Sequence, residues 1–208
     1  QYLVESRLMP VARKAGLATL SELIAKMKEP AQAQLCAAVV EAMTTNESFF
    51  FRDKTPFDHF KGSVIPELIK ARANRRSLRI WCAASSTGQE PYSLAMILKD
   101  MASELAGWRV EIIATDLSPE VLEKSKAALY TQFEVQRGLP IQLLVKHFKQ
   151  VGTMWQLNSD TRALVNFKQF NLLQDFTPLG KFDVIFCRNV LIYFDQKAKS
   201  AILERVSK

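Results

Sequence analysis

The chain has 208 residues, 48% of them hydrophobic, and a formal net charge of +7. That length suits one α/β core with a small appendage and is short for two full domains. No apolar run approaches the roughly 18 residues that span a bilayer, and the opening QYLVESRLMP lacks the basic-then-apolar layout of a signal peptide, so a cytoplasmic protein with no membrane insertion is expected.

Along the chain, Leu3, Leu8 and Val11, then Leu20, Leu23, Ile24 and Met27, recur at helical spacing with Gly16 between them, and Ala31 to Met43 adds a helix after Pro30. These predict a small all-helical domain over residues 1–48 and a second domain over 49–208. A helix is predicted from Pro56 to about Ala73. Strands follow at Leu78 to Ala83, Val110 to Thr115, Val165 to Phe170 and Phe182 to Cys187, with helices at Pro91 to Leu105 and Ser118 to Leu129 between the first three. Such alternation implies an α/β fold with a doubly wound parallel sheet. Between Tyr130 and Ala163 the pattern supports a helix from Pro140 to His147 and a short strand around Met154 to Leu157, and a last helix runs from Asp195 to Val206. The strand FDVIFC is apolar almost throughout, which suits a sheet interior. Only the helix after it follows, so its outer edge is predicted bare and open to pairing, which implies either that the chain is truncated or that another chain covers that edge. A monomer is otherwise expected.

The stretch LRIWCAASSTGQEPYSLAMIL is the most informative. An apolar strand stops in small residues, makes one glycine turn at Gly88 and restarts as an amphipathic helix, as in a βα turn that cradles a nucleotide. Twenty-eight residues after Gly88 the next strand ends in Asp116, where one carboxylate can accept hydrogen bonds from both hydroxyls of a ribose. GxGxxG is absent, because Gly88 is the only glycine between Gly62 and Gly107. A pyrophosphate loop is disfavoured and an adenosine ligand without phosphates, such as S-adenosylmethionine, is favoured.

In a doubly wound sheet, ligands sit at the carboxyl ends of the strands. Four segments would meet there: the small-residue turn with Glu90, then Asp116, then Asn171 and Leu172, then Arg188 and Asn189. Phe49, Phe50 and Phe51 cannot all face a core from one helix, so at least one ring should cover a ligand or partner, with Arg52 placed to hold a carboxylate bidentately. Cys36, Cys82 and Cys187 are never in CxxC spacing and the histidines are His59 and His147 alone, which supports neither a disulfide framework nor a metal site. The tract KARANRRSLR holds five cations and no acid, and reads either as a solvated helix end or as a patch for an acidic partner.

TTNESFFFRD, CAASSTGQEPYSLAM, IIATDLSPEVLEKSKAALY, FNLL and FDVIFCRNVLIYF, in this order, resemble the chemotaxis-receptor glutamate methyltransferases of the CheR family. The resemblance implies a Rossmann-like methyltransferase domain that uses S-adenosylmethionine, releases S-adenosylhomocysteine, and methylates glutamates on the cytoplasmic helices of chemoreceptors. It implies that Asn46, Ser48, Arg52, Glu90, Asp116, Asn171, Leu172, Arg188 and Asn189 surround the cofactor, with Arg52 and Tyr193 nearest the methyl group. It also implies that the first helix docks on receptors through Arg7 and Arg13. Phe49 stands where the family usually has a small residue. The alternatives are a nucleic-acid methyltransferase and an inactive cofactor-binding module. The first would carry an Asn/Asp-Pro-Pro-aromatic motif or a Pro-Cys nucleophile, whereas this chain has RNVLIY at that place and no Pro-Cys, so no nucleic-acid partner is expected.

Overall fold

A computed structural model describes residues 2–207. The chain divides into two compact units, one closing at Asn46 and the other opening at Glu47. The first contains α1 (Tyr2–Lys14), α2 (Leu20–Met27) and α3 (Ala33–Met43). Leu8, Ala12, Leu23 and Val39 form its core. Helix α2 is started by a capping box, Thr19 accepting from the Glu22 amide while Glu22 reaches back. Helix α3 begins later than the predicted Ala31, because Ala31 sits at φ 65° and ends the preceding turn.

The second unit opens with α4 (Thr55–His59) and α5 (Ile65–Ala71), where a single helix was predicted. Between them Phe60–Val64 forms a π turn, and the Ile65 amide donates to the Phe60 carbonyl five residues back. Pro66 accounts for it: without an N–H, and with a ring crowding the carbonyl four residues earlier, proline displaces the regular ladder.

The main sheet comprises β1 (Ser77–Ala83), β2 (Arg109–Asp116), β6 (Val165–Gln169) and β7 (Val184–Phe186), all parallel, in the order β6-β2-β1-β7. Helices α6 (Gln89–Asp100) and α7 (Pro119–Ala127) make the crossovers. This is the doubly wound, Rossmann-like α/β arrangement expected. Alternate residues divide the sheet's faces. Leu78, Ile80, Cys82, Ile112 and Ala114 pack with Phe57, Phe60, Leu94 and Leu98, whereas Trp81, Ala83 and Ile113 pack with Leu179 and Ile202 of the last helix. Both faces are therefore covered, as a parallel sheet requires. Strand β7 is shorter than FDVIFC and lies at the end of the sheet. Among the described residues no strand pairs with its outer side.

Between α7 and β6 the chain builds a second sheet, of which the pattern predicts only the strand Met154–Leu157 and the helix ending at His147, both of them present. It consists of β3 (Leu129–Thr131), β4 (Phe148–Val151) and β5 (Met154–Leu157), antiparallel in the order β3-β5-β4, with α8 (Gln132–Gln136), α9 (Ile141–His147) and α10 (Ser159–Arg162) around it. Helix α7 stops before the predicted Leu129 because Ala128 turns left-handed at φ 49° and Leu129 begins the new strand. The small sheet has its own core of Phe50, Tyr130, Val135, Leu144, Phe148 and Leu157, shared with Tyr92 and Met96. Helix α6 thus lies between two cores. It is not amphipathic as predicted, since every residue from Pro91 to Leu98 is buried, and its Ser93 hydroxyl is satisfied by the Gln89 carbonyl. It also ends at Asp100, short of Leu105. The last helix, α11 (Gln196–Val206), is capped by Asp195, which accepts from the Ala198 amide.

Candidate functional site

Register brings the predicted strand ends to one level. Ala83 is beside Thr115, Cys82 beside Phe186, and Asp116 beside Gln169. The segments holding Ala84–Gly88, Asp116, Asn171–Leu172 and Arg188–Asn189 consequently leave the sheet at the same edge.

After β1 the backbone is left-handed at Ala84 (φ 57°), Ser86 (φ 50°) and Gly88 (φ 92°). Two non-glycine residues in this region mark stored strain of the kind found at ligand sites. The turn is tied at both sides, the Ser85 amide donating to the Thr115 carbonyl at 2.9 Å and the Ser125 hydroxyl to the Ser86 carbonyl at 2.9 Å. Gly88 is needed twice over: its φ suits glycine alone, and a Cβ there would lie 3.1 Å from the Ser125 side chain and 3.2 Å from the Tyr130 hydroxyl. Helix α6 starts at Gln89, two residues before the predicted Pro91, directly over the strand end.

Asp116 is 7% exposed, with one carboxylate oxygen accepting from the Ser86 amide at 2.8 Å and the other from the Ser118 amide at 3.1 Å. Burial raises its pKa, against the lowering effect of these amides. Each carboxylate oxygen keeps further acceptor capacity, the feature a vicinal diol requires. The Ser85 hydroxyl is buried in the same turn without a hydrogen-bond partner. A donor-seeking carboxylate, an unsatisfied hydroxyl and a kinked small-residue backbone fit an adenosine-type cofactor lacking a pyrophosphate.

The loop carrying Arg52 is fastened to this edge by Arg188. Its guanidinium donates to Glu90 (2.7 Å), the Arg52 carbonyl (2.7 Å) and Asp53 (2.8 Å). Glu90 is largely buried, and its pKa is raised by burial in spite of the Arg188 charge. The loop is bent by left-handed φ values at Phe51, Asp53 and Lys54. That bend sends the three consecutive rings three ways. Phe50 is fully buried against Tyr130 and Phe148, Phe51 packs on Phe57, and Phe49 is half-buried near two guanidiniums. The Ser93 hydroxyl pins the Phe51 amide at 3.0 Å. Asp53 and Ser93 were not singled out from the sequence, since neither belongs to a strand tip or a nucleotide turn.

The remaining expected site residues are placed as follows. Asn171 accepts the Leu173 amide at 2.9 Å, and Leu172 is buried beneath it. Asn189 is exposed and left-handed at φ 56°. Tyr193, in a short 3-10 turn, is 59% exposed. Ser48 is half-buried, and Asn46 is the last residue of the helical unit. In that unit Arg7 has a structural task, donating to the Met43 and Thr44 carbonyls at 3.0 and 3.1 Å and so holding the end of α3. Arg13 is exposed in the last turn of α1. Within the basic tract, Arg72 pairs with Asp183 and Arg79 with Glu111, both at 2.9 Å, so two of its five cations are engaged in the fold.

Residues 46–208 match the family described as CheR methyltransferase, SAM binding domain. Chemotaxis protein methyltransferase 1 of Pseudomonas aeruginosa is 44% identical over 210 residues, covering 99% of this chain and 76% of that protein. Chemotaxis protein methyltransferase Cher2 of Pseudomonas putida is 41% identical, again over 99% of this chain and 76% of its own length. The Escherichia coli chemotaxis protein methyltransferase is 35% identical across 98% of this chain and 70% of that protein.

Proposed function

This chain belongs to the CheR methyltransferase family, and from that membership we infer that it uses S-adenosylmethionine to convert glutamate side chains of chemoreceptor cytoplasmic helices to methyl esters. The observation that carries this reading is the convergence at one sheet edge of the strained Ala84–Gly88 turn, the buried Asp116 carboxylate and the Arg188 clamp on the Arg52 loop.

Asp116 would take the ribose diol, with Ser85, Asn171, Leu172 and Asn189 around the nucleoside and Glu90 and Ser48 toward the methionine end. When bound, the cofactor supplies a methyl group on a sulfonium, an electrophile that a carboxylate can attack directly. A glutamate side chain is already ionised near neutral pH, so no general base is required. Arg52 acts as the aligner of that carboxylate, contributing orientation rather than differential charge stabilisation, because an arginine binds the ground-state anion at least as well as the transition state. Tyr193, open to solvent, would be covered by a docked protein, which would exclude water from the reacting pair.

Asp116→Ala should lower S-adenosylmethionine affinity roughly 10- to 100-fold, the equivalent of losing about 1.5 to 3 kcal/mol of hydrogen bonding to a charged acceptor. Calorimetry on the folded variant measures it, and unchanged affinity would remove Asp116 from the site. Radiolabelled methyl transfer to receptor cytoplasmic fragments, run beside RNA, tests the activity. Label on RNA alone would favour the nucleic-acid alternative, and label on neither the inactive module.

Receptor docking is assigned to the helical unit. Since Arg7 is engaged in holding α3, Arg13 should carry most of the electrostatic attraction. Raising salt across the physiological range should weaken receptor binding and leave cofactor binding nearly unchanged, because exposed charges are screened over roughly 8 to 10 Å. Arg13→Ala should flatten that salt dependence in a pull-down or anisotropy titration, while Arg7→Ala should lower the stability of the helical unit. A salt-insensitive receptor interaction would count against the assignment.

A further inference from the structure

We propose that Arg137 is a positioning residue for Arg52, acting through Phe49 and Glu47; this rests on the reading of Arg52 as the group that aims the substrate carboxylate. Arg137 is the C-cap of α8, far along the chain in the small-sheet region. Its guanidinium reaches back to donate to the Glu47 carboxylate at 2.5 Å and lies 4.4 Å from the centre of the Phe49 ring. Arg52 uses the same two residues. Its guanidinium donates to the Glu47 carbonyl at 3.0 Å and lies 5.5 Å from the centre of the same ring.

Two cations sharing one ring repel each other unless an anion stands with them, and Glu47 supplies that anion. The hydrogen bond and charge of Arg137, and more weakly the charge of Arg52, hold the Glu47 carboxyl below its usual range. The approach of the Arg137 loop is fixed by the backbone, not by a long side chain alone. Gly138, at φ +85°, comes so near the segment that a Cβ there would lie 2.1 Å from the Phe50 carbonyl oxygen. The small-sheet region therefore seats a loop directly on the segment that presents Arg52.

The physical consequence is orientational. A half-exposed arginine has several soft torsions, and restricting them beforehand lowers the entropy lost when the guanidinium meets a carboxylate. The ring is the shared element.

The test is single-turnover methylation of a receptor fragment at saturating S-adenosylmethionine, comparing wild type, Arg137→Ala, Phe49→Leu, Arg52→Ala and the Arg52→Ala/Arg137→Ala double variant. Arg137→Ala and Phe49→Leu should each slow transfer about 3- to 10-fold, the scale of a cation–π contact with its ion pair. Cofactor affinity should change less than the rate, since Asp116 and the nucleotide turn lie outside the cluster. Arg137→Lys should recover part of the rate, because an ammonium keeps the charge and loses the flat fork. In the double variant, removing Arg137 should slow the reaction no further. Wild-type rates in both Arg137→Ala and Phe49→Leu, or an equal loss with and without Arg52, would overturn the proposal. A wild-type rate in Arg52→Ala is a different failure, one that removes the underlying reading of Arg52 and the proposal with it.

Discussion

Arg188→Ala should be the most destabilising single substitution at the sheet edge. Its guanidinium satisfies Glu90, the Arg52 carbonyl and Asp53 simultaneously, with the Arg188 and Glu90 side chains 17% and 14% exposed. Truncating one partner of a buried pair costs about 3 to 5 kcal/mol, because the other charge is left without compensation; with water reaching part of this pair, about 2 to 4 kcal/mol is expected. Urea denaturation with an unchanged m-value measures it. The pH dependence has a definite sign. Burial already raises the Glu90 pKa, and removing Arg188 takes away the lowering influence and raises it further. The folded variant then binds a proton more readily than the unfolded chain, so its deficit should be smallest in acid and grow as the pH rises above the ordinary carboxylate range. Adding Glu90→Gln should restore part of the loss, since a neutral amide costs less to bury. A deficit under about 0.5 kcal/mol, the scale of an ordinary surface change, would show that Arg188 is not the clamp.

The strand tips were legible because parallel strands announce themselves. LRIWCA and VEIIATD are apolar on both faces, and each ends abruptly in small or polar residues at the level where a ligand would sit. What those tips touch was not legible. Arg188 binds Asp53 across 135 residues of sequence, a separation that no spacing rule spans. Of the small sheet only the strand Met154–Leu157 was legible, since β3 has only three residues and follows α7 without glycine, Ala128 making the left-handed turn instead. Three residues carry no period to detect. The triple phenylalanine was correctly read as impossible on one helix face, yet two of its rings entered cores. Phe50 completes the core of the small sheet, most of whose strands the pattern hid. Pro66, by contrast, was visible throughout, and its effect on the preceding turn follows from proline geometry alone.

Arg52→Ala separates a connector residue from a carboxylate aligner. The side chain's hydrogen bond to the Glu47 carbonyl would be lost, but the loop keeps its main tie, because Arg188 holds the Arg52 carbonyl, which alanine retains. Folding should therefore change little. As a connector, Arg52 could be truncated with an effect within about 0.5 kcal/mol. As the aligner, its loss should cost about 2 to 5 kcal/mol, by analogy with truncating one member of a desolvated charge pair, or roughly 30- to several-thousand-fold in rate. The defect should fall on turnover far more than on cofactor affinity, which in the proposed site rests on Asp116 and the Ala84–Gly88 turn. Arg52→Lys should restore only part of the rate, because the ammonium keeps the charge but cannot present two parallel donors to one carboxylate. Single-turnover methylation of a receptor fragment at saturating cofactor, with folding checked by denaturation, reads the effect. Near-wild-type turnover in Arg52→Ala would end the alignment mechanism and leave family membership untouched, since that membership rests on the whole of residues 46–208.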